Sequence, residues 1–370
     1  MHHYSFIAEQ FAPSLRVTNV HEFGNGNIND TYLVSTDADE RSRPEDRNFV
    51  LQRINTQVFK QPRLIMQNMR TFTEHMRKRA RAESHHWEMP RVIPACDGQD
   101  FYIDPEGNFW RAISYVHGTR SFETITDTNI AREVGYALGT FQYLISDLAV
   151  EKLSDTLEGF HIMPRYLRNY DRAFSQNGFK SGAEVKFCLK FVEQRREFAY
   201  VLEQAREQGR LQLRPVHGDP KVNNVMIETT TGRAISLVDL DTVKPGLIHY
   251  DIGDCMRSGC NPLGEETERW EAVEFNPEIG AAILEGYLTQ ARRFLTAADY
   301  EYLYASIRLL TFELGVRFFT DYLAGNVYFK VKHPQHNLQR ALVQFKLTES
   351  IEAHEKDIRH IIQQLSPSVE

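Results

Sequence analysis

The feature that most constrains the fold of this chain is a polar motif followed by a predicted hairpin. Residues 217–224 read His-Gly-Asp-Pro-Lys-Val-Asn-Asn. Two apolar segments, 225–227 and 234–238, then flank a turn that contains glycine, and the second segment ends in Asp239. This pattern predicts a β-hairpin. Because a hairpin returns the chain to its starting end, we expect Asn224 and Asp239 to lie side by side.

Each residue type in this cluster suits phosphoryl transfer. Asp219, Lys221 and Asn224 form the predicted catalytic set: the carboxylate receives a substrate hydroxyl, and the ammonium places positive charge where the phosphoryl group passes. Asn224 and Asp239 offer the oxygen ligands that Mg²⁺ prefers. Asp241 either joins them as a metal ligand or caps the following turn. The motif in this context predicts a kinase-type site that uses ATP and Mg²⁺.

Three further residues near the motif are assigned supporting roles. We expect His217 to brace the loop through backbone hydrogen bonds rather than to transfer a proton. Asp251 and Asp254 are expected to hold the loop to the following helix.

Composition disfavours several other classes of protein. The 370 residues are 42% hydrophobic and 25% charged, the ordinary range for a globular chain large enough for two lobes. A net charge of −7 disfavours nucleic acid as a partner. Four cysteines without dense spacing indicate a reducing compartment. No signal peptide and no apolar stretch of about 18 residues is found. We therefore expect a cytoplasmic protein without membrane contact, as a monomer or weak homo-oligomer.

The first third of the chain is rich in predicted strands and supplies the predicted nucleotide site. A glycine turn lies between two extended segments, where backbone N–H groups can approach phosphates. The third strand and a hinge before the long helices complete the site, and the hinge backbone is expected to bind adenine. The residues assigned to nucleotide binding are Gly24, Asn25, Gly26, Asn27, Gln52, Ser114, Tyr115 and Val116.

Strands first and helices afterwards predict an α+β fold in two lobes. The N-terminal nucleotide-binding lobe is expected to span 1–113, the hinge 114–118, and the larger helical lobe, with the catalytic and acceptor sites, 119–370. Apolar residues at helical spacing predict helices at 64–82, from 129 onward, and at 183–208, 279–290, 297–319 and 340–365.

Together these residues resemble the aminoglycoside phosphotransferase and choline kinase family, whose fold is like that of protein kinases. The glycine turn, the hinge, the 217–224 motif and Asp239 occur in the family's order. Within the family the chain looks most like N-acetylhexosamine 1-kinases. That closeness depends on stretches far from the motif as well as near it: 24–34, 239–246, 251–257, 317–329 and 336–340.

The resemblance implies ATP- and Mg²⁺-dependent phosphorylation of the anomeric hydroxyl of N-acetylglucosamine or N-acetylgalactosamine. Asp219 would then orient that hydroxyl, and Arg317, Tyr322 and Tyr328 would contact the sugar. The alternatives are a kinase of choline, homoserine, methylthioribose or an aminoglycoside, and a nucleotide-binding pseudokinase. Arg317 opposes a polycationic acceptor, choline calls for an aromatic cage, and an intact catalytic set speaks against a pseudokinase.

Two positions depart from the protein kinase pattern. The register of the third strand places Gln52 where protein kinases carry lysine. We expect Arg53 or Arg70 to supply the missing cation, unless the backbone and metal suffice. Gly218 stands where protein kinases carry an arginine that receives an activation-loop phosphate, which argues against a protein substrate and against control by phosphorylation.

Overall fold

The computed structural model describes residues 2–12, 14–24, 28–39, 42, 47–178 and 181–367. The predicted phosphate contacts Asn25, Gly26 and Asn27 lie outside these residues. The strands are β1 (Val17–Glu22), β2 (Asp30–Thr36), β3 (Asn48–Ile54), β4 (Val92–Ile93), β5 (Tyr102–Ile103), β6 (Phe109–Ser114), β7 (Thr119–Arg120), β8 (Arg214–Val216), β9 (Val225–Glu228), β10 (Ala234–Leu237) and β11 (Lys244–Gly246).

Most of the described helices follow β7, and the first two precede it. They are α1 (His2–Glu9), α2 (Pro62–Ala82), α3 (Thr128–Ile145), α4 (Met163–Asn177), α5 (Ala183–Arg195), α6 (Val201–Glu207), α7 (Ile248–Gly259), α8 (Pro277–Ala291), α9 (Ala297–Ala324), α10 (His336–Ala353) and α11 (Glu355–Leu365). The predicted α+β order, with a strand-rich N-terminal part and a helical C-terminal part, is confirmed. None of the helices in the described ranges combines the length and apolar character needed to cross a bilayer.

One antiparallel sheet forms the N-terminal part, in the order β1-β2-β3-β6-β4, and β5 also pairs with β6. Side chains alternate between its faces. On β3, Phe49 and Leu51 pack with Trp110 in the small core beneath α1. Val50 and Ile54 face the large core that continues into the helical lobe. Gln52, between Val50 and Ile54 on the same face, is therefore turned toward the cleft between the lobes.

The predicted hairpin is confirmed as β9 and β10, which pair antiparallel with Leu237 opposite Val225. A second pair, β8 with β11, brackets it in sequence and places Lys244 opposite Val216. The two pairings bring the loop at 217–224 and the turn at 239–243 to the same end of this unit. Local strand pairing thus assembles the motif.

Helices α3 and α8 pack closely against each other where each carries a glycine. A Cβ built on Gly135 of α3 would lie 1.9 Å from the carbonyl oxygen of Ile283, and one on Gly286 of α8 would lie 1.9 Å from that of Arg132. The two backbones are therefore in direct contact, which leaves no room for a larger residue at either glycine. The pair forms the packed base of the helical lobe.

Two predicted helices are wrong in extent because each is broken in the structure. The helix predicted at 183–208 becomes α5, a 3₁₀ turn at Glu197–Tyr200, and α6. The helix predicted at 340–365 becomes α10 and α11, which join at His354. Apolar residues keep helical spacing across both breaks, so periodicity alone does not detect a change of axis.

Candidate active site

The loop between β8 and β9 brings Asp219 and Lys221 to the cleft between the lobes. The Nζ of Lys221 lies 3.1 Å from Oδ2 of Asp219, and both side chains are partly exposed to the cleft. Burial opposes ionisation, but the Lys221 ammonium outweighs it and lowers the pKa of Asp219. The Asp219 charge in turn raises the pKa of Lys221. The pair is therefore a carboxylate and an ammonium at neutral pH.

A backbone hydrogen bond at the open end of the hairpin places Asp239 next to Asn224. The N–H of Val238 donates to the carbonyl oxygen of Asn224 at 2.9 Å, so Asp239 follows directly beside Asn224. The side-chain Nδ2 of Asn224 donates to the carbonyl oxygen of Asp219 at 2.7 Å. This leaves the amide oxygen of Asn224 as the atom that can bind a cation.

Asp239 stands among other carboxylates in a left-handed backbone conformation with φ of 62°. Enclosure by the cleft walls, and then the charges of Asp241 and Asp219, raise its pKa to about 7. The negative potential from Asp241 and Asp219 at this position is one that a divalent cation would offset. The oxygen donors of Asp239 and Asn224 therefore fit Mg²⁺.

Asp241, predicted as a metal ligand, contacts the N-terminal part of the chain through both oxygens, although Oδ1 has an ion pair there and no hydrogen bond among the described residues. Nη2 of Arg111 lies 2.5 Å from Oδ1, and both side chains of this pair are almost completely buried. Nδ2 of Asn29 donates to Oδ2 at 2.6 Å. Asp241 therefore joins the two lobes in this structure, and a metal would compete with Arg111 and Asn29 for it.

Arg111 is the site residue that sequence reasoning missed. It lies on β6 directly opposite Gln52 of β3. Its Nε and Nη2 donate to Oε1 of Gln52 at 2.9 and 2.6 Å, and Nε2 of Gln52 donates to Thr31 at 3.0 Å. Arg111 thus places a buried cation on the strand next to Gln52. Its signal in the sequence is a single charged residue inside an otherwise apolar strand.

The two arginines expected to replace the lysine lie elsewhere, so that prediction is wrong. Arg53 pairs with Asp30 and lies over the Trp110 ring, on the sheet face turned away from Gln52. Arg70 pairs with Asp100 at the surface of α2. Alternation along β3 explains the first error, because neighbouring residues on a strand point to opposite faces.

Asp251 holds the catalytic loop, which confirms its predicted role. It accepts hydrogen bonds from the N–H of His217 at 2.9 Å, from the N–H of Gly218 at 2.8 Å and from Nε2 of Gln142 at 2.9 Å. Burial raises the pKa of Asp251 to about 6 even though these donors favour the charged form. Asp254 instead pairs with Arg257 on the same helix, at 2.8 Å.

The imidazole of His217 braces the loop from inside, as predicted. Its Nδ1 accepts from the N–H of Asp219 at 3.3 Å, so the other nitrogen carries the proton and donates to the carbonyl oxygen of Val238 at 3.1 Å. Burial lowers the pKa of His217 to about 4. A neutral ring therefore ties the catalytic loop to the turn that carries Asp239.

Backbone geometry explains why glycine occupies position 218. Gly218 has φ of 89°, and a Cβ there would lie 2.7 Å from the carbonyl oxygen of Thr242. No side chain fits between the loop and the Asp239 turn. The arginine of protein kinases is therefore excluded by packing at this position.

The predicted nucleotide contacts lie around the hinge. Gly24 has φ of 77°, as a tight turn requires, and the ring of the preceding Phe23 packs edge-on against Tyr115 at 5.8 Å. Tyr115 and Val116 lie in the connection between β6 and β7. Ser114 is hydrogen-bonded to the backbone of Arg91. Its N–H donates to the carbonyl oxygen of Arg91 and its hydroxyl accepts from the N–H of Arg91, both at 2.9 Å.

A cavity next to Asp219 and Lys221 is lined by these two residues, by Arg317 and Tyr328, by aromatic side chains, and by the charged residues Asp254, Arg257, Glu265 and Glu313. The Arg317 guanidinium lies between three rings, those of Phe160 at 5.1 Å, Tyr166 at 5.2 Å and Phe329 at 5.6 Å. Two of the three predicted acceptor contacts therefore share one cavity with the predicted base.

Tyr322 does not line this cavity, which corrects its predicted contact with the acceptor. It is buried in the core of the helical lobe, with its ring 6.4 Å from that of Phe319. Five residues along a helix correspond to a rotation of about 140° beyond a full turn. Tyr322 and Arg317 therefore point to different sides of α9.

The loop after α9 is positioned by one carboxylate. Asp321 accepts from the N–H groups of Val327, Tyr328 and Phe329 at 2.9, 2.8 and 3.0 Å. Asn337 of α10 donates to the same carboxylate at 2.8 Å. These bonds hold Tyr328 at the mouth of the cavity.

An ion pair connects this loop with the N-terminal sheet. Nζ of Lys330 lies 3.5 Å from Oδ1 of Asp30 on β2, and both side chains are exposed to solvent. Asp30 also pairs with Arg53 of β3. The acceptor side of the cleft is thus in contact with the nucleotide side.

His161 and Glu313 line the inner wall of the cavity, and the sequence analysis did not identify either of them. Nδ1 of His161 is 2.8 Å from Oε1 of Glu313, and Nε2 is 2.6 Å from the carbonyl oxygen of Gly218. Both side chains are buried. His161 lies in an irregular segment with no periodic pattern, so nothing in the sequence marks it.

Comparisons with known proteins agree with this geometry. A sequence model described as the phosphotransferase enzyme family matches residues 19–298. Among solved structures, a microcompartment-associated aminopropanol kinase has a TM-score of 0.63 at 16% identity, over 96% of this chain and 98% of that one. An aminoglycoside phosphotransferase from Alicyclobacillus acidocaldarius has a TM-score of 0.62 at 14% identity, over 94% and 93%. A choline kinase from Cryptosporidium parvum has a TM-score of 0.58 at 14% identity, over 94% and 91%. These similarities confirm the predicted kinase-like fold.

Proposed function

The chain belongs to the phosphotransferase enzyme family, and on that premise we propose that it transfers a phosphoryl group from ATP to the anomeric hydroxyl of an N-acetylhexosamine. One observation carries the proposal. The Asp219 and Lys221 pair lines the same cavity as Arg317 and Tyr328. An acceptor bound there has its hydroxyl next to the carboxylate.

Asp219 is proposed as the base. Lys221 keeps its carboxylate ionised, so it can accept a hydrogen bond from the acceptor hydroxyl and take the proton late in the transfer. The Asp251 and His217 contacts fix the loop, which reduces the motion needed to reach the reactive geometry. Lys221 also places positive charge near the migrating group. When bound at Asp239 and Asn224, Mg²⁺ would neutralise charge on the phosphate oxygens.

Arg111 is proposed to supply the positive charge at the nucleotide phosphates that the third-strand lysine supplies in protein kinases. Its guanidinium is held by Gln52 and Asp241, and its remaining nitrogen, Nη1, is buried without a hydrogen-bond partner in the described chain. A buried donor of this kind is costly to leave unsatisfied. A phosphate oxygen of the nucleotide is the group that would satisfy it.

The acceptor side of the cavity favours an uncharged ring that carries oxygen acceptors. Arg317 is a partly buried cation between aromatic rings, so it opposes a cationic group placed beside it and can donate to a hydroxyl or carbonyl oxygen. An acetamido sugar presents such oxygens, and its C–H faces can stack on aromatic walls. The remaining candidates are kinases of other hydroxylated metabolites. Among these, choline and the aminoglycosides suit this cation least.

The proposal is tested by incubating the protein with ATP, Mg²⁺ and a panel of free sugars and amino alcohols. We expect ³¹P NMR to locate the new phosphate at C1 of an N-acetylhexosamine. Asp219→Asn is the matched control, expected to lose turnover while it still binds nucleotide. Phosphate at C6, or on choline in place of the sugar, would overturn the proposed acceptor.

A further inference from the structure

A buried histidine links the acceptor cavity to the catalytic loop. His161 lies between Oε1 of Glu313 and the carbonyl oxygen of Gly218, at 2.8 and 2.6 Å. Gly218 immediately precedes Asp219. The other end of the link reaches the acceptor site, because Nη1 of Arg317 is 4.0 Å from the same oxygen of Glu313.

Hydrogen-bond chemistry limits the protonation of this ring. A backbone carbonyl can only accept, so Nε2 of His161 must carry a proton. When the Glu313 carboxylate is ionised it can only accept as well, and Nδ1 then carries the second proton. The second oxygen of Glu313 has no hydrogen-bond partner in the described part of the chain. A carboxylate that is 1% exposed needs a cationic partner close by, and the imidazole is closer than Arg317.

The surroundings of His161 are consistent with a charged ring. The Phe160 ring lies against it at a tilt of 41°, with centroids 3.9 Å apart. The titratable and charged groups packed around it from the helices and the catalytic loop are Glu313, Arg317, Tyr166, Tyr250, Asp251 and Asp219. Burial alone would lower the pKa of His161, but the Glu313 charge overcomes it and raises the pKa above 6.5.

We infer that His161 is a positioning residue: as an imidazolium paired with Glu313 it holds the Gly218 carbonyl, and so couples the Arg317 side of the acceptor site to the orientation of Asp219. The inference rests on the proposed function in one respect, that Asp219 is the base. The Asp251 contacts hold the N–H side of the same turn. His161 holds its carbonyl side.

This inference predicts a direction for pH dependence. A raised pKa means that the charged form supports the fold at low pH and is lost as pH rises through the folded-state value. Turnover should therefore fall on the alkaline side, at a pH above 6.5. Glu313→Gln removes the counter-charge and should move that fall to lower pH.

NMR of ¹⁵N-labelled histidine in the intact protein tests the protonation directly. The signal is assigned by its loss in His161→Gln. We expect both ring nitrogens to be protonated at pH 6.5 in the wild type, and only one in Glu313→Gln. A neutral wild-type ring at that pH would overturn the inference. This measurement needs no acceptor, so it stands even where the sugar panel yields no product.

Kinetics then test the positioning role. The double variant His161→Gln with Glu313→Gln keeps an amide donor for the Gly218 carbonyl without a titrating group. We expect its kcat to lack the alkaline fall, whereas the acceptor KM changes less than threefold. A double variant with the wild-type pH profile would show that another group sets the fall. Thermal unfolding of each variant shows whether a loss of turnover comes from misfolding or from a misplaced Asp219. If a variant fails to fold, the protonation state of His161 in the wild type, measured by NMR, tests the inference.

Discussion

Arg111 and Gln52 face each other across β3 and β6, and from this pair the guanidinium reaches Asp241 in the turn behind the hairpin. The N-terminal sheet and the turn that follows Asp239 therefore share one buried ion pair. Removing either partner leaves a buried charge without compensation, which costs about 3–5 kcal/mol. The pair is thus expected to support both stability and nucleotide binding.

Arg111→Met should therefore lower the free energy of unfolding by about 3 kcal/mol and weaken ATP binding by at least tenfold. Chemical denaturation and isothermal titration calorimetry measure the two effects. Arg53→Gln is the matched control: its pair with Asp30 is partly exposed and is worth about 0–1 kcal/mol. Equal losses in the two variants would remove Arg111 from its proposed role.

Gly218→Ala should abolish most turnover and destabilise the protein by about 1–3 kcal/mol, because the new methyl group meets Thr242 at a left-handed backbone position. Gly232→Ala is the control. It shares a positive φ, of 72°, but has no atom within 4 Å of the added carbon. Thermal unfolding and initial rates compare the two, and a fully active Gly218→Ala enzyme would contradict the packing argument.

Asp239→Asn should stabilise the metal-free protein at pH 8 by about 1 kcal/mol, and it should also lose turnover. The pKa of Asp239 is raised from 3.8 to about 7. The folded state therefore binds a proton more tightly than the unfolded chain, and stability falls as pH rises from 4 to 7. Because Asp239 is open to water in the cleft, the gain is smaller than the full shift implies.

Melting temperatures at pH 5 and pH 8, with and without Mg²⁺, check this prediction. The wild type should gain stability from Mg²⁺ at pH 8, and Asp239→Asn should gain little. A variant less stable than the wild type at pH 8 without metal would show that enclosure and repulsion of the charged Asp239 carboxylate do not lower the stability of the wild type.

Tyr328→Phe should raise the acceptor KM by about tenfold, the loss of roughly 1.4 kcal/mol of hydrogen bonding, with the ATP KM unchanged. Tyr322→Phe is the comparison, since Tyr322 is buried away from the cavity. We expect it to change stability more than acceptor KM. If Tyr322→Phe raised the acceptor KM more than Tyr328→Phe did, Tyr322 would be an acceptor contact, as the sequence predicted.

The parts of the site that depend on short sequence separations were predictable. The hairpin forms between neighbouring apolar segments, so the meeting of Asn224 and Asp239 follows from spacing alone. The brace from His217 to Val238 and the support from Asp251 lie within the same stretch of chain. Here residue type and separation carry enough information.

The missed parts depend on contacts between distant segments. Arg111 reaches the site only because β6 pairs with β3 in a register that places it opposite Gln52. His161 meets Glu313 and Gly218 from an irregular segment far from either. Tyr322 and Tyr328 are equivalent as residue types, and only the end of α9 and the Asp321 contacts separate them. Such relationships arise from tertiary packing, which periodicity does not record.

The Lys330 and Asp30 pair has a consequence for the link between the two lobes. The pair crosses the mouth of the cleft and links β2 to the loop that carries Tyr328, while Asp321 holds the loop itself. An exposed pair contributes about 0–1 kcal/mol, which is weak enough to break at each turnover. Added salt should therefore weaken this link between the two lobes, while the Asp321 hydrogen bonds keep the loop in place.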